Sequence, residues 1–287
     1  MAKNEYIKSP MNYTGGKYKL LPQIMPLMVC AKPKRFIDLF CGGANVAVNF
    51  HADRVIASDN NEKVIEIYNC FKGLSIDDIL AHINKRITQY SLTKTNAEGF
   101  NRLRDYYNNS PEKYPLDLFV LICYSFNHQI RFNRNGEYNM PFGKDRSEFN
   151  KSIEKNLIAF REAIENITFV AKDFRGLKIE KLTCDDLVYC DPPYLITCAT
   201  YNEKDGWNAE CEHKLLEMLD NINSVGSKFA LSNVLSNKGK ENDILIKWLE
   251  ERPQYDIIHL EQSYANCNYH TKDKTSKPDE VLVRNFS

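Results

Sequence analysis

Residues 186–194, with the sequence D-L-V-Y-C-D-P-P-Y, constrain the fold of this chain more than any other stretch. The apolar residues after the first aspartate are typical of a buried parallel strand. Pro192 and Pro193 end that strand abruptly, because each fixes its own φ and lacks a backbone donor. Asp191 and Tyr194 are thereby presented at the carboxyl end of a strand, the edge where open α/β sheets bind ligands. The stretch predicts an α/β fold with a ligand site at this point.

A glycine turn follows another predicted strand nearer the N-terminus. Residues 36–40 predict a central strand and 45–50 the start of a helix, with Gly42 in the turn between them. Backbone amides at such a strand–turn–helix junction suit a nucleotide-like ligand. Asp59 ends the next strand, at the position where an acidic residue accepts hydrogen bonds from ribose hydroxyls. The alternatives are an ordinary βα turn and, for Asp59, a helix N-cap.

Two further segments are candidates for contacts to a ligand. The sequence N-Y-T-G-G-K-Y at residues 12–18 has two glycines for close backbone approach to an anion, and Lys17 for charge. It lacks the spacing of a Walker motif, and a turn that caps a helix is the alternative. Asp173 and Phe174 follow a predicted strand at 167–170 and are suited to hold an adenine moiety. A plain strand-end turn is the alternative for that pair.

The composition indicates a soluble intracellular protein. Lys plus Arg and Asp plus Glu both number 38, so any nucleic-acid surface must be a local patch. The nine cysteines form no C-x-x-C pair, and there is no signal-peptide pattern and no apolar run of about 18 residues. We therefore expect a cytoplasmic protein with reduced thiols and no membrane association. Polar loops are expected at 197–207 and 265–279.

The alternation of strands and helices is interrupted between residues 72 and 160. Polar helices precede an apolar one at 116–126, and a hairpin is predicted at 131–144 around an Asn-Gly turn. Basic side chains there suit phosphate or guanine, asparagines suit adenine edges, and aromatic rings suit stacking. A solvated hairpin that packs on its own domain is the alternative. The candidate DNA contacts are Arg131, Asn133, Arg134, Asn135, Tyr138, Asn139, Pro141 and Lys144.

These motifs occur in one order along most of the chain, and together they resemble DNA adenine methyltransferases of the Dam type (D12 class, alpha group). One difference is Ala44, which takes the place of the second glycine in the F-x-G-x-G turn of that family. The resemblance rests on N-Y-T-G-G-K-Y (12–18), F-I-D-L-F-C-G-G (36–43), Asp59, the hairpin R-F-N-R-N-G-E-Y-N-M-P-F-G-K (131–144), D-F (173–174), D-P-P-Y (191–194), S-N (232–233) and the terminal E-V-L-V-R-N-F.

The resemblance implies a Rossmann-like class I methyltransferase sheet with an inserted, mostly helical target-recognition domain that carries the β-hairpin. Residues 1–71 and 161–287 would form the catalytic domain that binds S-adenosylmethionine, and 72–160 the DNA-binding insertion. The implied catalytic residues, which would receive a flipped adenine, are Asp191, Pro192, Pro193 and Tyr194. The implied contacts to S-adenosylmethionine are Tyr13, Lys17, Asp38, Phe40, Gly42, Asp59, Asp173, Phe174 and Asp191, with Asp59 on the ribose.

The chemistry of amine methylation agrees with this implication. Asp191 and the carbonyl of Pro192 can accept the two hydrogens of the adenine amine, which directs the nitrogen lone pair at the methyl group. Tyr194 can stack on the extruded base and offset part of the free energy lost in unstacking. A sulfonium methyl donor is already activated, so no metal is expected.

The sequence therefore predicts a bacterial or phage-encoded DNA adenine-N6 methyltransferase acting on double-stranded DNA, with GATC as the target that the resemblance favours. DNA cytosine-N4 methylation is the nearest alternative, and Asp191 argues against it because that family more often begins its motif with serine. A DNA-binding protein without turnover is the alternative from another class, and intact Lys17 and Asp191 argue against it. A monomer is expected, and a restriction endonuclease acting on the same site is left open as a partner.

Overall fold

The computed structural model describes residues 6–196, 206–261 and 278–287 of the chain. A single mixed sheet lies at its centre, in the order β3-β2-β1-β4-β5-β8-β7, with β6 paired to β5. The polar loops expected at 197–207 and 265–279 lie outside the described residues except at their ends. The strands are β1 (Arg35–Asp38), β2 (Arg54–Asp59), β3 (Ile167–Ala171), β4 (Asp186–Cys190), β5 (Lys228–Asn237), β6 (Lys240–Glu241), β7 (Asp256–Leu260) and β8 (Asp279–Arg284).

Strands β1 to β5 form the parallel part of the sheet. β1 pairs with β2 and β4, β2 pairs with β3, and β4 pairs with β5, all in parallel register. β8 is antiparallel to both β5 and β7. The strand order reverses between β1 and β4, so a ligand is expected outside the carboxyl ends of these two strands. The predicted α/β class and the predicted strand before Asp191 are confirmed.

Helices bury both faces of the sheet. Along β4, Leu187 and Tyr189 belong to one core with the helices that precede β4 in the sequence, whereas Val188 and Cys190 belong to a second core with the helices that follow it. Because both faces are covered, β4 is apolar throughout its middle, as is typical of a central parallel strand. No helix of the described ranges is long and apolar enough to span a membrane. The helices are α1 (Leu21–Val29), α2 (Glu62–Gly73), α3 (Ile76–Tyr90), α4 (Ala97–Asn109), α5 (Pro115–Tyr124), α6 (Lys151–Ala163), α7 (Ala209–Ser224) and α8 (Asp243–Glu250).

The helices between residues 72 and 160 share a core with the sheet through α2. Phe119 of α5 packs edge-on against Phe71 of α2, with ring centroids 5.0 Å apart. Phe160 of α6 packs on Tyr68 of α2 at a centroid distance of 5.4 Å. These contacts join the segment to the sheet-packed helix α2, and its predicted status as a separate recognition domain with those bounds stays a prediction.

The predicted hairpin at 131–144 is less regular than expected. Its arms meet at a single bridge between Phe132 and Tyr138, and neither arm forms a regular strand. The turn contains Gly136 at φ +76°, a conformation that glycine adopts without strain. Asn133 Oδ1 accepts hydrogen bonds from the amides of Asn135 and Glu137, so a side chain takes donors that a ladder would otherwise use.

The helix expected at 45–50 is also shorter than predicted, since only a 3-10 turn, Ala47–Asn49, is formed. The Asn49 side chain accepts from the Ile7 amide and donates to the Ile7 carbonyl, both at 2.8 Å. Asn45 Oδ1 accepts from the Ser9 amide at 2.9 Å. Instead of continuing the helix, this segment therefore holds the N-terminal stretch against the edge of the sheet that carries the candidate site.

Candidate active site

Three distant parts of the sequence meet at the carboxyl end of β4. Lys17 Nζ lies 2.7 Å from Asp191 Oδ1 and 3.5 Å from Glu280 Oε1. The same ammonium donates to the Gly15 carbonyl at 3.1 Å. Lys17 comes from the N-terminal segment, Asp191 follows β4, and Glu280 lies on β8. The side chains of Lys17 and Glu280 are 5% and 2% exposed, against 16% for Asp191, so Asp191 is the group that a ligand can reach.

Tyr194 completes this charge cluster, which we define as Lys17, Asp191, Tyr194 and Glu280. The hydroxyl oxygen of Tyr194 lies 3.1 Å from Asp191 Oδ1 and 3.0 Å from Glu280 Oε1. The Lys17 ammonium lies 4.8 Å from the centroid of the Tyr194 ring, a distance at which a cation is attracted to the ring. The two prolines between Asp191 and Tyr194 restrict the backbone and so fix the spacing of the two side chains.

Burial dominates the electrostatics of the charge cluster. Desolvation raises the pKa of both Asp191 and Glu280, and the charge of Lys17 opposes both shifts. The charge of Asp191 raises the pKa of Glu280 further. One ammonium thus faces two carboxylates away from solvent, so the cluster attracts a proton or a further positive charge. In the described part of the chain, no three His, Cys, Asp or Glu side chains are placed to hold a metal ion.

Asp38 is a second acidic group at this edge, at the end of β1. Its side chain is 1% exposed, and Oδ1 accepts no hydrogen bond from any described residue. Burial, together with the charges of Asp191 and Asp59, raises the pKa of Asp38 well above its ordinary value of 3.8. A buried carboxylate oxygen without a donor is costly. Asp38 can therefore accept a hydrogen bond from a ligand ammonium or hydroxyl.

The turn after β1 brings the backbone close to its neighbours. Gly42 has φ +45°, and a Cβ there would lie 2.8 Å from the ring of Tyr13. Asp59 Oδ2 accepts from the Gly42 amide at 2.9 Å, and the Tyr68 hydroxyl donates to the Gly42 carbonyl at 2.7 Å. Asp59 Oδ1 accepts from the Asn61 amide at the start of α2. Asp59 therefore holds both the turn and the helix start, and its predicted contact to a ribose stays a prediction.

Ala44 takes a glycine-like conformation in the same turn. Its φ is +55°, in the left-handed region, and its side chain is fully buried. An L-residue in that region costs roughly 1–2 kcal/mol relative to the right-handed one. The backbone at this position is therefore the one a glycine would favour, and Ala44 adopts it at the expense of some strain.

An aromatic wall lies beside the turn and consists of Phe40, Phe174 and Trp207. The ring centroid of Phe40 is 5.4 Å from that of Phe174 and 5.7 Å from that of Trp207. The Trp207 indole donates to Glu212 Oε2 at 2.6 Å, and Glu212 is fully buried. Flat apolar faces of this kind suit the packing of a purine ring. The structure thus brings together the two predicted rings and adds a third.

Asp173 is engaged by Arg175 rather than left open to a ligand. Arg175 Nε donates to Asp173 Oδ1 at 2.6 Å, and a terminal guanidinium nitrogen donates to Oδ2 at 2.8 Å. The hydrogen bond from Arg175 lowers the pKa of Asp173. Arg175 thus occupies one lone pair on each oxygen of Asp173, and a contact to adenine has to use one of the remaining lone pairs. The predicted contact from Asp173 to adenine stays a prediction.

The hairpin side chains divide into a self-paired set and a solvent-facing set. Arg131 Nε donates to Asn139 Oδ1 at 2.9 Å, and Asn133 Nδ2 donates to Glu137 Oε2 at 2.7 Å. These three predicted DNA contacts already have partners within the hairpin. The exposed members of the predicted set are Arg134, Asn135, Pro141 and Lys144, together with the paired Arg131.

Tyr138 does not lie on the hairpin surface. Its side chain is 1% exposed, and its hydroxyl donates to the Gln129 carbonyl at 3.1 Å. The amide and carbonyl of Tyr138 are both bonded to the side chain of Asn108 on α4. The predicted stacking of Tyr138 on a base is therefore not available in this conformation, because the ring anchors the hairpin to the helices.

Glu280 and Trp207 are parts of the site that the sequence did not predict. Glu280 lies in a run that predicts only a closing strand, and its one signal is an acidic residue entering the apolar stretch V-L-V. Trp207 lies at the end of a segment predicted as a polar loop, where a single large aromatic was the available signal. Glu280 and Trp207 reach the site only because strands and helices from distant segments of the sequence pack together.

Comparison with known proteins gives a family match over most of the chain. The family pattern described as D12 class N6 adenine-specific DNA methyltransferase matches residues 13–266. The Type II methyltransferase M.FokI of Planomicrobium okeanokoites is 49% identical over 99% of this chain and 44% of its own length. Modification methylase StsI of Streptococcus sanguinis is 41% identical over 98% of this chain and 43% of its own length.

A third relative is of similar length to this chain. The DNA adenine methylase of Escherichia coli (strain K12) is 28% identical over 95% of this chain and 93% of its own length. By contrast, the chain spans less than half the length of the two modification methyltransferases.

Proposed function

The chain belongs to the D12 class N6 adenine-specific DNA methyltransferase family, and on that premise we propose that it methylates N6 of an adenine in double-stranded DNA, with S-adenosylmethionine as the methyl donor. The observation that carries the proposal is the fixed position of Asp191 at the carboxyl end of β4. Lys17 and Tyr194 both contact its Oδ1. Because both contacts are made to Oδ1, Oδ2 can turn toward a substrate amine.

The amine is activated by acceptors rather than by a strong base. Asp191 Oδ2 and the Pro192 carbonyl can each accept one hydrogen of the adenine amine, which favours a pyramidal nitrogen with a localised lone pair. The prolines hold that carbonyl in place before the reaction, so little reorganisation is needed. After transfer the nitrogen carries a surplus proton. Asp191 can accept it, since burial raises the pKa of Asp191.

The residues beside β1 fit a ligand such as S-adenosylmethionine. When bound, this cosubstrate supplies a methyl group already activated by the sulfonium charge. The unpartnered Oδ1 of Asp38 can accept from the ammonium of its amino-acid part. A Cβ at Gly42 would meet the Tyr13 ring at 2.8 Å, so the glycine lets Tyr13, one of the residues proposed to contact the ligand, pack on this turn. Phe40 and Phe174 can pack on its adenine.

DNA binding is proposed for the exposed side of the hairpin. Arg134 and Lys144 offer positive charge to phosphates, and Asn135 at the turn offers an amide to base edges. Reaching the amine requires the adenine to leave the duplex stack, because its target nitrogen is paired there. The ring of Tyr194 is the aromatic surface next to Asp191 on which the extruded base can stack.

We propose GATC as the target on the resemblance to Dam-type enzymes alone. The identity to the two modification methyltransferases, 49% and 41%, exceeds the 28% shared with the DNA adenine methylase of Escherichia coli. Since a few side chains decide recognition, the target has to be measured on DNA of mixed sequence. The relatives named as modification methylases support a role in restriction–modification, with an endonuclease for the same site as the cellular partner. Their bacterial origin supports a cytoplasmic enzyme, and a monomer remains the expectation.

The test is to incubate the protein with methyl-labelled S-adenosylmethionine and mixed-sequence duplex DNA, and then to digest the DNA to nucleosides. We expect label in N6-methyldeoxyadenosine and, after mapping of the methylated positions, in a single short sequence. Label in N4-methyldeoxycytidine would favour the cytosine alternative. An absence of label in DNA, with S-adenosylmethionine bound, would leave a DNA-binding protein without turnover.

A further inference from the structure

Glu280 is a buried acidic residue for which the amine-activating step assigns no role. It lies on β8, in the antiparallel part of the sheet, and its register partner on β5 is Val234. Its side chain is 2% exposed, and the three residues that follow it on the strand, Val281 to Val283, are apolar and buried. A carboxylate in such a place is rare unless it is paired. Its partners are the Tyr194 hydroxyl at 3.0 Å and the Lys17 ammonium at 3.5 Å.

The Tyr194 hydroxyl sits between two carboxylate oxygens but has a single hydrogen to donate. The oxygen–oxygen distances are 3.1 Å to Asp191 and 3.0 Å to Glu280, so neither partner is clearly favoured. A hydroxyl can donate once and accept twice. If the hydroxyl donates to Asp191, Glu280 has to be protonated to bond to it, and the reverse also holds. The two carboxylates therefore compete for the single hydroxyl hydrogen of Tyr194 and for the ammonium of Lys17. A change in the charge of one carboxylate must then affect the protonation of the other.

From this geometry we infer that Glu280 is a positioning residue for methyl transfer: it holds the Tyr194 hydroxyl and the Lys17 ammonium so that both contact Asp191 Oδ1 and leave Oδ2 to the amine. The inference rests on the proposed function. Without Glu280, the Tyr194 hydroxyl loses its contact to β8, and the ring is positioned less tightly beside Asp191. A shift of an ångström in such a group lowers rates by up to about 100-fold.

Glu280 also sets the charge that Asp191 experiences. Both carboxylates contact the same ammonium, so an ionised Glu280 disfavours an ionised Asp191. The pKa of Glu280 is raised by burial and by Asp191, which agrees with this mutual repulsion. Replacing Glu280 with neutral glutamine should therefore lower the pH at which Asp191 loses its proton. The titratable groups facing this pair are Lys17, Tyr194, Tyr189 and Asp38.

The test compares Glu280→Gln and Glu280→Ala with a matched control, Asp279→Asn. Asp279 is the neighbouring acid on the same strand, but its side chain is 38% exposed and pairs with His259 at 2.6 Å, away from the charge cluster. Each variant is assayed for methyl transfer to mixed-sequence duplex DNA across a range of pH. Thermal unfolding and binding of S-adenosylmethionine are measured on the same samples.

We expect Glu280→Gln to fold and to bind S-adenosylmethionine as the wild type does, with kcat lowered about 10-fold. The acid limb of its kcat profile should move to lower pH by about one unit. Glu280→Ala should lose more activity, because it keeps neither the hydrogen bond nor the shape, and Asp279→Asn should match the wild type. If Glu280→Ala does not fold, the pH profile of Glu280→Gln decides.

A Glu280→Gln variant with the kcat and acid limb of Asp279→Asn would overturn the inference while the proposed function stands. A wild type that puts no label into N6-methyldeoxyadenosine would overturn both. Loss of cofactor binding in Glu280→Gln would also contradict the inference, since it would make Glu280 a support of the fold rather than of the reacting groups.

Discussion

The charge cluster and the hairpin differ in where their contacts come from. In the charge cluster, Tyr194 bonds to a residue 86 positions away, and Lys17 of the N-terminal segment pairs with Asp191 after β4. In the hairpin, Arg131 bonds to a residue 8 positions away, and Asn133 to one 4 positions away. In the charge cluster Lys17 and Glu280 are buried and Asp191 and Tyr194 are partly buried, whereas the turn of the hairpin is exposed.

This difference separates the demands of chemistry from those of recognition. Groups gathered from distant segments exist as a site only in the folded sheet, so their positions are fixed by the core around them. Groups on a locally paired hairpin can change without disturbing the sheet, provided that the buried anchor is kept. Substitutions in the charge cluster should therefore alter turnover and stability, and substitutions in the exposed turn should alter DNA binding alone.

Among the variants of the charge cluster, Asp191→Ala should lower turnover most. It removes the acceptor of the amine but leaves the hairpin untouched, so we expect kcat to fall at least 100- to 1,000-fold, on the order seen when one preorganised group is lost from a polar active site. DNA affinity and the salt dependence of binding should be unchanged. Methyl transfer and DNA binding by fluorescence anisotropy measure the two effects separately.

The matched control is Asp185→Ala, which removes an exposed acid just before β4. Asp185 is 50% exposed and pairs with Lys34 at the opposite end of the strand. Its loss should leave both turnover and DNA binding within twofold of the wild type, about the size of a surface ion pair. Equal losses of activity in the two variants would show that Asp191 supports the strand and not the reaction.

The same contrast explains what the sequence could predict. The strand ending at Asp191 and the turn at Gly42 were predictable, because local signals carry them: apolar runs, prolines and glycines. The partners of those groups were not predictable by such signals. Glu280 reaches Tyr194 only because β8 inserts antiparallel between β5 and β7, and one sequence does not give strand order.

In the hairpin, too, the local turn was predictable and the contacts to another element were not. An Asn-Gly turn between arms of mixed polar and aromatic residues predicts its place correctly, and the sequence could not say which arm residues face the protein. Tyr138 faces inward because the side chain of Asn108 on α4 bonds to its backbone amide and carbonyl. That contact comes from another element, so the alternative of rings packed on their own domain holds for Tyr138.

Lys17→Met should destabilise the protein by removing the one ammonium of the charge cluster. It leaves two buried carboxylates without a counter-charge, and we expect a loss of about 3 kcal/mol in the free energy of unfolding near neutral pH. Lys19→Met, an exposed lysine in the same segment, is the control and should change stability little. Urea unfolding of both variants and the wild type measures the difference.

The loss in Lys17→Met should depend on pH in a defined direction. Burial raises the pKa values of Asp191 and Glu280 in the folded protein above their ordinary 3.8 and 4.5, and the charge of Lys17 is the largest of the effects that limit the rise. The folded state then binds protons more tightly than the unfolded state. Stability therefore falls as the pH rises from the ordinary pKa values of these groups to their raised values in the folded protein. The deficit should shrink as the pH falls toward the ordinary pKa values of these two carboxyl groups, because both then become protonated in the folded state. A deficit that grew on acidification would contradict the assignment of unpaired carboxylates.

Asp38→Asn should separate stability from ligand binding. The variant replaces a buried carboxylate, one oxygen of which lacks a donor among the described residues, with a neutral side chain of the same shape. We expect the ligand-free protein to gain about 1 kcal/mol at neutral pH. The gain should vanish as pH falls toward the ordinary pKa of 3.8, because wild-type Asp38, with its raised pKa, is protonated in the folded state before it is in the unfolded state.

The same variant should bind S-adenosylmethionine more weakly, and calorimetric titration measures that change. A variant that is less stable at neutral pH, with unchanged binding, would show that Asp38 is a structural acceptor.

Arg134→Ala changes the exposed turn of the hairpin and should affect stability and turnover least. Arg134 is exposed at the turn of the hairpin, so its loss should change the free energy of unfolding by less than about 0.5 kcal/mol. If it contacts a phosphate, the slope of log affinity against log salt should fall by about one while kcat at saturating DNA is kept. If it contacts a base, discrimination at one position of the target should relax instead.

The control is Arg54→Ala. Arg54 is an exposed arginine at the amino end of β2, opposite to the strand ends that carry the candidate site. Equal salt slopes and equal discrimination in the two variants would remove the hairpin turn from the DNA surface and leave recognition to other parts of residues 72–160.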